Sequence, residues 1–155
     1  MSHRSHMSCF ACLGLLISLC LPLLALAVGS GTVPPPVAPR SAEAEYNKGL
    51  EAKSAKRFSE AIAGFRRAVD IRPNFPEAWN ELGFALRQTG QFAEALKAYD
   101  QALRLRPDFP EALEYLGETY VKMGRLEDAQ AVLARLSSLD PARARELEEV
   151  IQAAK

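Results

Sequence analysis

Between Pro76 and Phe109 the apolar positions fall at helical spacing twice over, with a break between the two runs. Trp79, Leu82, Gly83 and Leu86 mark one helical face, Gly90 interrupts it, and Phe92, Ala95, Tyr99 and Ala102 mark a second helix that stops before Pro107. The pattern predicts two amphipathic helices folded into an antiparallel hairpin. Shifting by 34 residues finds it again at Leu113, Leu116, Gly117, Tyr120, Gly124, Leu126, Ala129, Leu133, Leu136 and Pro141, and in the other direction at Gly49, Ala52, Phe58, Ala61, Phe65, Ala68 and Pro73. Three units follow, 42–75, 76–109 and 110–143. The first has lost part of its leading helix's pattern, with Glu45 at the place of Trp79 and Lys48 at that of Leu82, which suits an end helix with one flank in water.

The junctions share a formula, Arg72-Pro73-Asn74-Phe75-Pro76 and Arg106-Pro107-Asp108-Phe109-Pro110. Pro73 and Pro107 end the outgoing helices, Asn74 and Asp108 can serve at the incoming starts, and Pro76 and Pro110 are tolerated in the first turn. Ser41 is the expected N-cap of the first helix. Beyond the third unit, residues 144–155 keep apolar side chains at Ala144, Leu147, Val150, Ile151 and Ala154, while Arg143, Arg145, Glu148 and Glu149 are expected to face water. This predicts a helix that covers the open flank of the array, with Asp140 as its N-cap.

Trp79-x2-Leu82-Gly83-x2-Leu86, Ala95-x3-Tyr99 and Pro107 resemble the tetratricopeptide repeat, with Leu86 in a place the family fills with Tyr. The resemblance implies an all-α solenoid of three helix-turn-helix hairpins plus the C-terminal capping helix. Its physics is consistent: Gly83 and Ala95 are small where helices must approach, and Trp79 and Tyr99 fill the space between them.

The first 27 residues read differently. Residues 9 to 28 carry no charge, Arg4 precedes them without an acid, and Ala25-Leu26-Ala27 has the small-x-small form of a leader peptidase site. The stretch resembles a bacterial secretory signal peptide cleaved after Ala27; the alternative is an uncleaved membrane anchor, since 20 uncharged residues are near the minimum for a span. Either outcome exports the repeats, giving a periplasmic, secreted or membrane-anchored protein. His3, His6, Cys9 and Cys12 have metal-ligand spacing, but they belong to this leader. Residues 28–41, rich in proline and glycine, form a spacer.

Charge and chemistry narrow the function further. After residue 27 the chain has 18 basic and 19 acidic side chains, a net of −1, which gives no electrostatic reason for a nucleic-acid partner. All three cysteines and both histidines precede residue 21, so the array has no thiolate, imidazole, disulfide or Cys/His metal site. No catalytic residue, cofactor or metal is expected. A carboxylate-based hydrolase remains the enzymatic alternative, although no carboxylate pair stands out.

In the family the chain resembles, leading helices line a concave groove that receives a peptide or a partner's helix. Carried onto this sequence, that groove would include Tyr46, Leu50 and Lys53, then Asn80, Phe84 and Arg87, then Glu114, Glu118 and Val121. It would be apolar at one end and acidic at the other. Phe84 has two readings, an aromatic presented to a partner or one packed on the first leading helix. Family members that clamp a chaperone's C-terminal carboxylate use Lys, Asn and Arg at places held here by Tyr46, Leu50, Glu81, Glu111 and Tyr115, so that positive clamp is absent. The function expected is a non-catalytic interaction module of the cell envelope with a protein or peptide partner, touching the membrane only through an uncleaved leader. A self-assembling oligomer is the structural alternative.

Overall fold

The computed structural model describes residues 41 to 155; the leader, most of the spacer and every histidine and cysteine lie outside the described residues. Within them are seven helices and no strand: α1 (Ala42–Ser54), α2 (Phe58–Ile71), α3 (Pro76–Gln88), α4 (Phe92–Leu105), α5 (Pro110–Lys122), α6 (Leu126–Leu139) and α7 (Pro141–Ala153). Each odd helix from α1 to α5 packs on the even helix that follows it, and α2 on α3 and α4 on α5 join successive hairpins. The result is the all-α solenoid that the repeat pattern implies. One apolar core runs through it from Ala52 to Ile151, with alanines such as Ala61, Ala78, Ala95 and Ala112 fully covered where helices meet.

Glycine sets the closest approaches. A Cβ at Gly83 would stand 2.6 Å from the Tyr99 ring, and one at Gly49 would stand 2.5 Å from Phe65. Gly64 adds a contact that the repeat pattern does not contain, because a Cβ there would come within 2.9 Å of the Gly49 backbone. The third unit departs from the first two. Gly117 is filled not from its own hairpin but by Leu147 of α7, 2.5 Å from where its Cβ would be, and Leu133 is left half-buried. The terminal helix is therefore a structural part of the last repeat.

Two expected caps form. Ser41 accepts from the Ala44 N–H at 3.0 Å, and Asp140 accepts from the Ala142 and Arg143 N–H groups at 3.1 and 3.2 Å. Asn74 and Asp108 do not cap; Phe75 and Phe109 occupy the N-cap positions without a side-chain bond. The proline at the first helical position has no N–H to satisfy, and burial of the aromatic fixes the entry of the chain instead. Helix α7 also begins at Pro141, earlier than the 144 read from its apolar positions, because Asp140 caps it and Pro141 fits its first turn.

Glu45 corrects the picture of a solvated first helix. It is 1% exposed, and its carboxylate accepts from Lys48 at 2.7 Å and from Arg67 of α2 at 2.5 Å. Those two cations hold its carboxyl down at about 2. At the place where Trp79 packs in the second unit, the first is tied by ion pairs.

Candidate functional site

Residues four and three apart on one helix share a face, so Tyr46, Leu50 and Lys53 on α1 align, as do Asn80, Phe84 and Arg87 on α3 and Glu114, Glu118 and Val121 on α5. The structure links these three rows. Phe84 lies 5.3 Å from the Tyr115 ring and 6.3 Å from Phe58, with the Lys53 ammonium 5.2 Å and the Arg87 guanidinium 5.4 Å from its centre. It is half-buried and reaches all three units, and its contact with the leading helix α1 includes the Lys53 ammonium over the ring.

The two cations are neutralised stepwise along the array. Lys53 of α1 bonds Glu81 of α3 at 2.6 Å, and Arg87 of α3 pairs with Glu118 of α5 at 2.7 Å. Burial raises the Glu81 carboxyl above its usual range even though Lys53 opposes that. Arg87 is nearly covered, and its Nε and the Tyr99 hydroxyl are buried without hydrogen-bond partners.

One position shows how the units differ along the array. In the first, the Tyr46 ring packs tilted against Phe75 with centroids 4.9 Å apart, and burial together with Glu81, Glu77 and Glu111 pushes its hydroxyl up to about 12. In the second, Asn80 is 1% exposed and its Oδ1 has no partner. In the third, Glu114 is 6% exposed and accepts from Arg143 of α7. Burial raises the Glu114 carboxyl, with Arg143 working against it. Glu114 and Glu118 are thus not an open acidic end: both are held by arginines, Glu118 by Arg87 and Glu114 by Arg143, which gives its guanidinium to Glu114 while its side chain stays partly in water. Asn80, placed in the groove from the sequence, is a covered residue of the joint.

The sequence reading missed several groups that share this face. Tyr115 joins Phe84 and lies 5.3 Å from the Arg87 guanidinium; burial, with Glu111 and Glu114, pushes its hydroxyl up to about 12. Glu81 holds Lys53, and Glu111 stands one turn before Tyr115. The signal that could have found them was present, since Glu81, Glu111 and Tyr115 occupy the places compared with the chaperone clamp. Among the described residues no three histidine, cysteine, aspartate or glutamate side chains gather as a metal site.

The comparisons agree with the repeat architecture. Residues 46–108 and 86–151 each match the tetratricopeptide repeat, while no curated protein matches the sequence significantly. Among solved structures, the Arabidopsis OM64 TPR domain is similar with a TM-score of 0.70 and 17% identity, covering 74% of this chain and 97% of that one. The first TPR of Spaghetti (RPAP3) bound to the HSP90 peptide SRMEEVD gives a TM-score of 0.68 and 24% identity, covering 73% and 92%. The TPR2B domain of yeast Sti1 in complex with pHsp70 gives 0.69 and 19%, covering 73% and 94%. The repeat matches together span residues 46–151, and over that length the chain is built of tetratricopeptide repeats and belongs to their family.

Proposed function

We propose that this chain is a non-catalytic interaction module of the bacterial cell envelope, and that the face formed by α1, α3 and α5 holds a peptide or a partner's helix. The observation that carries this is the row of large half-buried side chains, Tyr46, Leu50, Phe84 and Tyr115, spread over the leading helices of all three units. Such a row presents aromatic and aliphatic surface with fixed geometry, which is what a peptide's side chains require of a groove. The RPAP3 and Sti1 domains, similar in fold, carry chaperone peptides, which supports an extended peptide as the class of occupant. The envelope setting rests on the leader alone, with its single Arg4, uncharged run and Ala25-Leu26-Ala27.

The test is capture from bacterial envelope extract by the tagged full-length chain, beside a Leu50→Glu, Phe84→Glu variant of equal helicity and an Ile71→Glu control. Loss of the captured partner in the double variant alone supports the groove. Equal capture by all three removes it. The leader is tested separately by sequencing the N-terminus of the exported protein, expected at Val28.

Self-assembly is the second reading, and one observation favours it: Ile71, Leu105 and Leu139, at the same place in successive units, are 46%, 37% and 37% exposed. A monomeric mass in solution would set it aside.

A further inference from the structure

The repeat register shows one ion pair that the third unit does not make. Glu43, Glu77 and Glu111 hold the same place in successive units, as do Arg72, Arg106 and Asp140. Arg72 bonds Glu43 and Arg106 bonds Glu77, each guanidinium also lying over the phenylalanine that follows, Phe75 at 3.7 Å and Phe109 at 4.7 Å. In the third unit the arginine is replaced. Asp140 turns to cap α7 and lies 3.5 Å from Arg143, whose guanidinium is given to Glu114. Glu111 therefore has no cation partner among the described residues, whereas Glu77, Glu81, Glu114 and Glu118 all have one.

Glu111 is half-buried, one turn before Tyr115, and its charge adds to the raised hydroxyls of both Tyr46 and Tyr115. Its field thus falls on the aromatic row of the groove. Asn80, one turn before Phe84 on the neighbouring leading helix, adds an independent unmet group, a buried Oδ1 with no donor. Both groups are acceptors: the Asn80 Oδ1 lacks a donor, and Glu111, which has the Tyr115 hydroxyl beside it, lacks a paired cation.

We propose that the groove receives a peptide bearing a lysine or arginine, whose cationic group takes at Glu111 the place that Arg72 and Arg106 take at Glu43 and Glu77. The inference rests on the groove reading above and names its partner's chemistry. It is the reverse of a groove selecting a carboxylate: the charge left over is negative. An arginine would fit best, since its planar donors repeat the in-chain pairs of the first two units and its face can lie against Tyr115. The remainder of the peptide would lie along Phe84 and Leu50.

The test is selection of a random twelve-residue peptide display library on the full-length chain, followed by affinity measurements on synthetic copies of the selected peptides. The expected result is a basic residue at a fixed position whose replacement by Gln weakens binding about 5- to 20-fold at low salt. Glu111→Gln should weaken the original peptide by the same factor and have little further effect on the Gln-substituted peptide. Glu127→Gln, on exposed α6 surface, serves as the charge control. Selected peptides without basic enrichment, or full affinity retained in Glu111→Gln, would overturn the proposal while leaving the groove in place if Phe84→Glu still abolishes binding. Binding indifferent to Phe84→Glu overturns the groove reading itself, and a library that yields no binder overturns both.

Discussion

Arg143 of α7 donates to Glu114 of α5 at the joint where, two units earlier, Phe75 packs against Tyr46. The same two places in the repeat are filled by an aromatic pair at one end of the array and by an ion pair at the other. The ion pair fastens the terminal helix, and removing Arg143 leaves a covered carboxylate without its cation. Because the Arg143 side chain is 38% exposed, water recovers part of that loss. Arg143→Ala should cost about 1–2 kcal/mol in urea unfolding, and adding Glu114→Gln should return part of it. An unchanged midpoint in the single variant would mean that α7 is held by Leu147 and Ile151 alone.

The turn of the first unit carries a strained residue where the others do not. Lys56 has φ 57°, and its counterparts 34 places on are Gly90 at 76° and Gly124 at 73°. A side chain in the left-handed region is disfavoured by contact with its own backbone, and glycine is not. Lys56→Gly should therefore stabilise the protein by about 0.5–1 kcal/mol after the greater entropy of the unfolded glycine is counted. A thermal midpoint that rises by a few degrees is the expected reading; a fall would show that the Lys56 side chain contributes more than its backbone costs.

At Gly64 no such freedom is needed; space is. A methyl group there meets the Gly49 backbone at 2.9 Å and the Glu45 carbonyl at 3.1 Å, and backbone cannot swing aside as a side chain can. Gly64→Ala should force α1 and α2 apart and lower stability by about 1–3 kcal/mol, despite alanine's better helix propensity. Gly90→Ala tests the contrasting case, since only its φ opposes the change. Differential scanning calorimetry of the two variants separates crowding from strain.

Acid should loosen the first hairpin through Glu45. Bonds from Lys48 and Arg67 lower its carboxyl from 4.5 to about 2, so the stability its charge contributes is present above about pH 4.5 and is lost as the pH falls through 2. Glu45→Gln should be less stable than the wild-type chain at neutral pH, and the difference should shrink across that window. Thermal midpoints at pH 7, 4 and 2 check it. A constant difference would place the effect in packing and not in charge.

Much of the helix pattern was legible because it is a local property. Apolar spacing, the turn glycines and the prolines at Pro73, Pro76, Pro107 and Pro110 each act on a few neighbouring residues, and the 34-residue period repeats those local instructions. Gly83 against Tyr99 and Gly49 against Phe65 follow from the same register. The capping role of Ser41 and Asp140 was equally near at hand, since an N-cap reaches only two or three residues ahead.

Partnership between units was not legible, because it depends on which side chains of distant helices meet. A glutamate such as Glu114 or Glu118 reads as solvated face until Arg143 and Arg87 are seen beside it, and Glu45 reads as the mark of an open flank until Arg67 covers it. The filling of Gly117 by Leu147 depends on the angle at which α7 returns over α5, which no spacing encodes. By itself the sequence determined the repeats, their hairpins and the absence of thiol and imidazole chemistry from the array, since composition and short-range sterics suffice for those. Only the tertiary structure decided which charges are spent inside the array and that Glu111 is left over, because ion pairing is set by distances between helices packed some thirty residues apart in the chain.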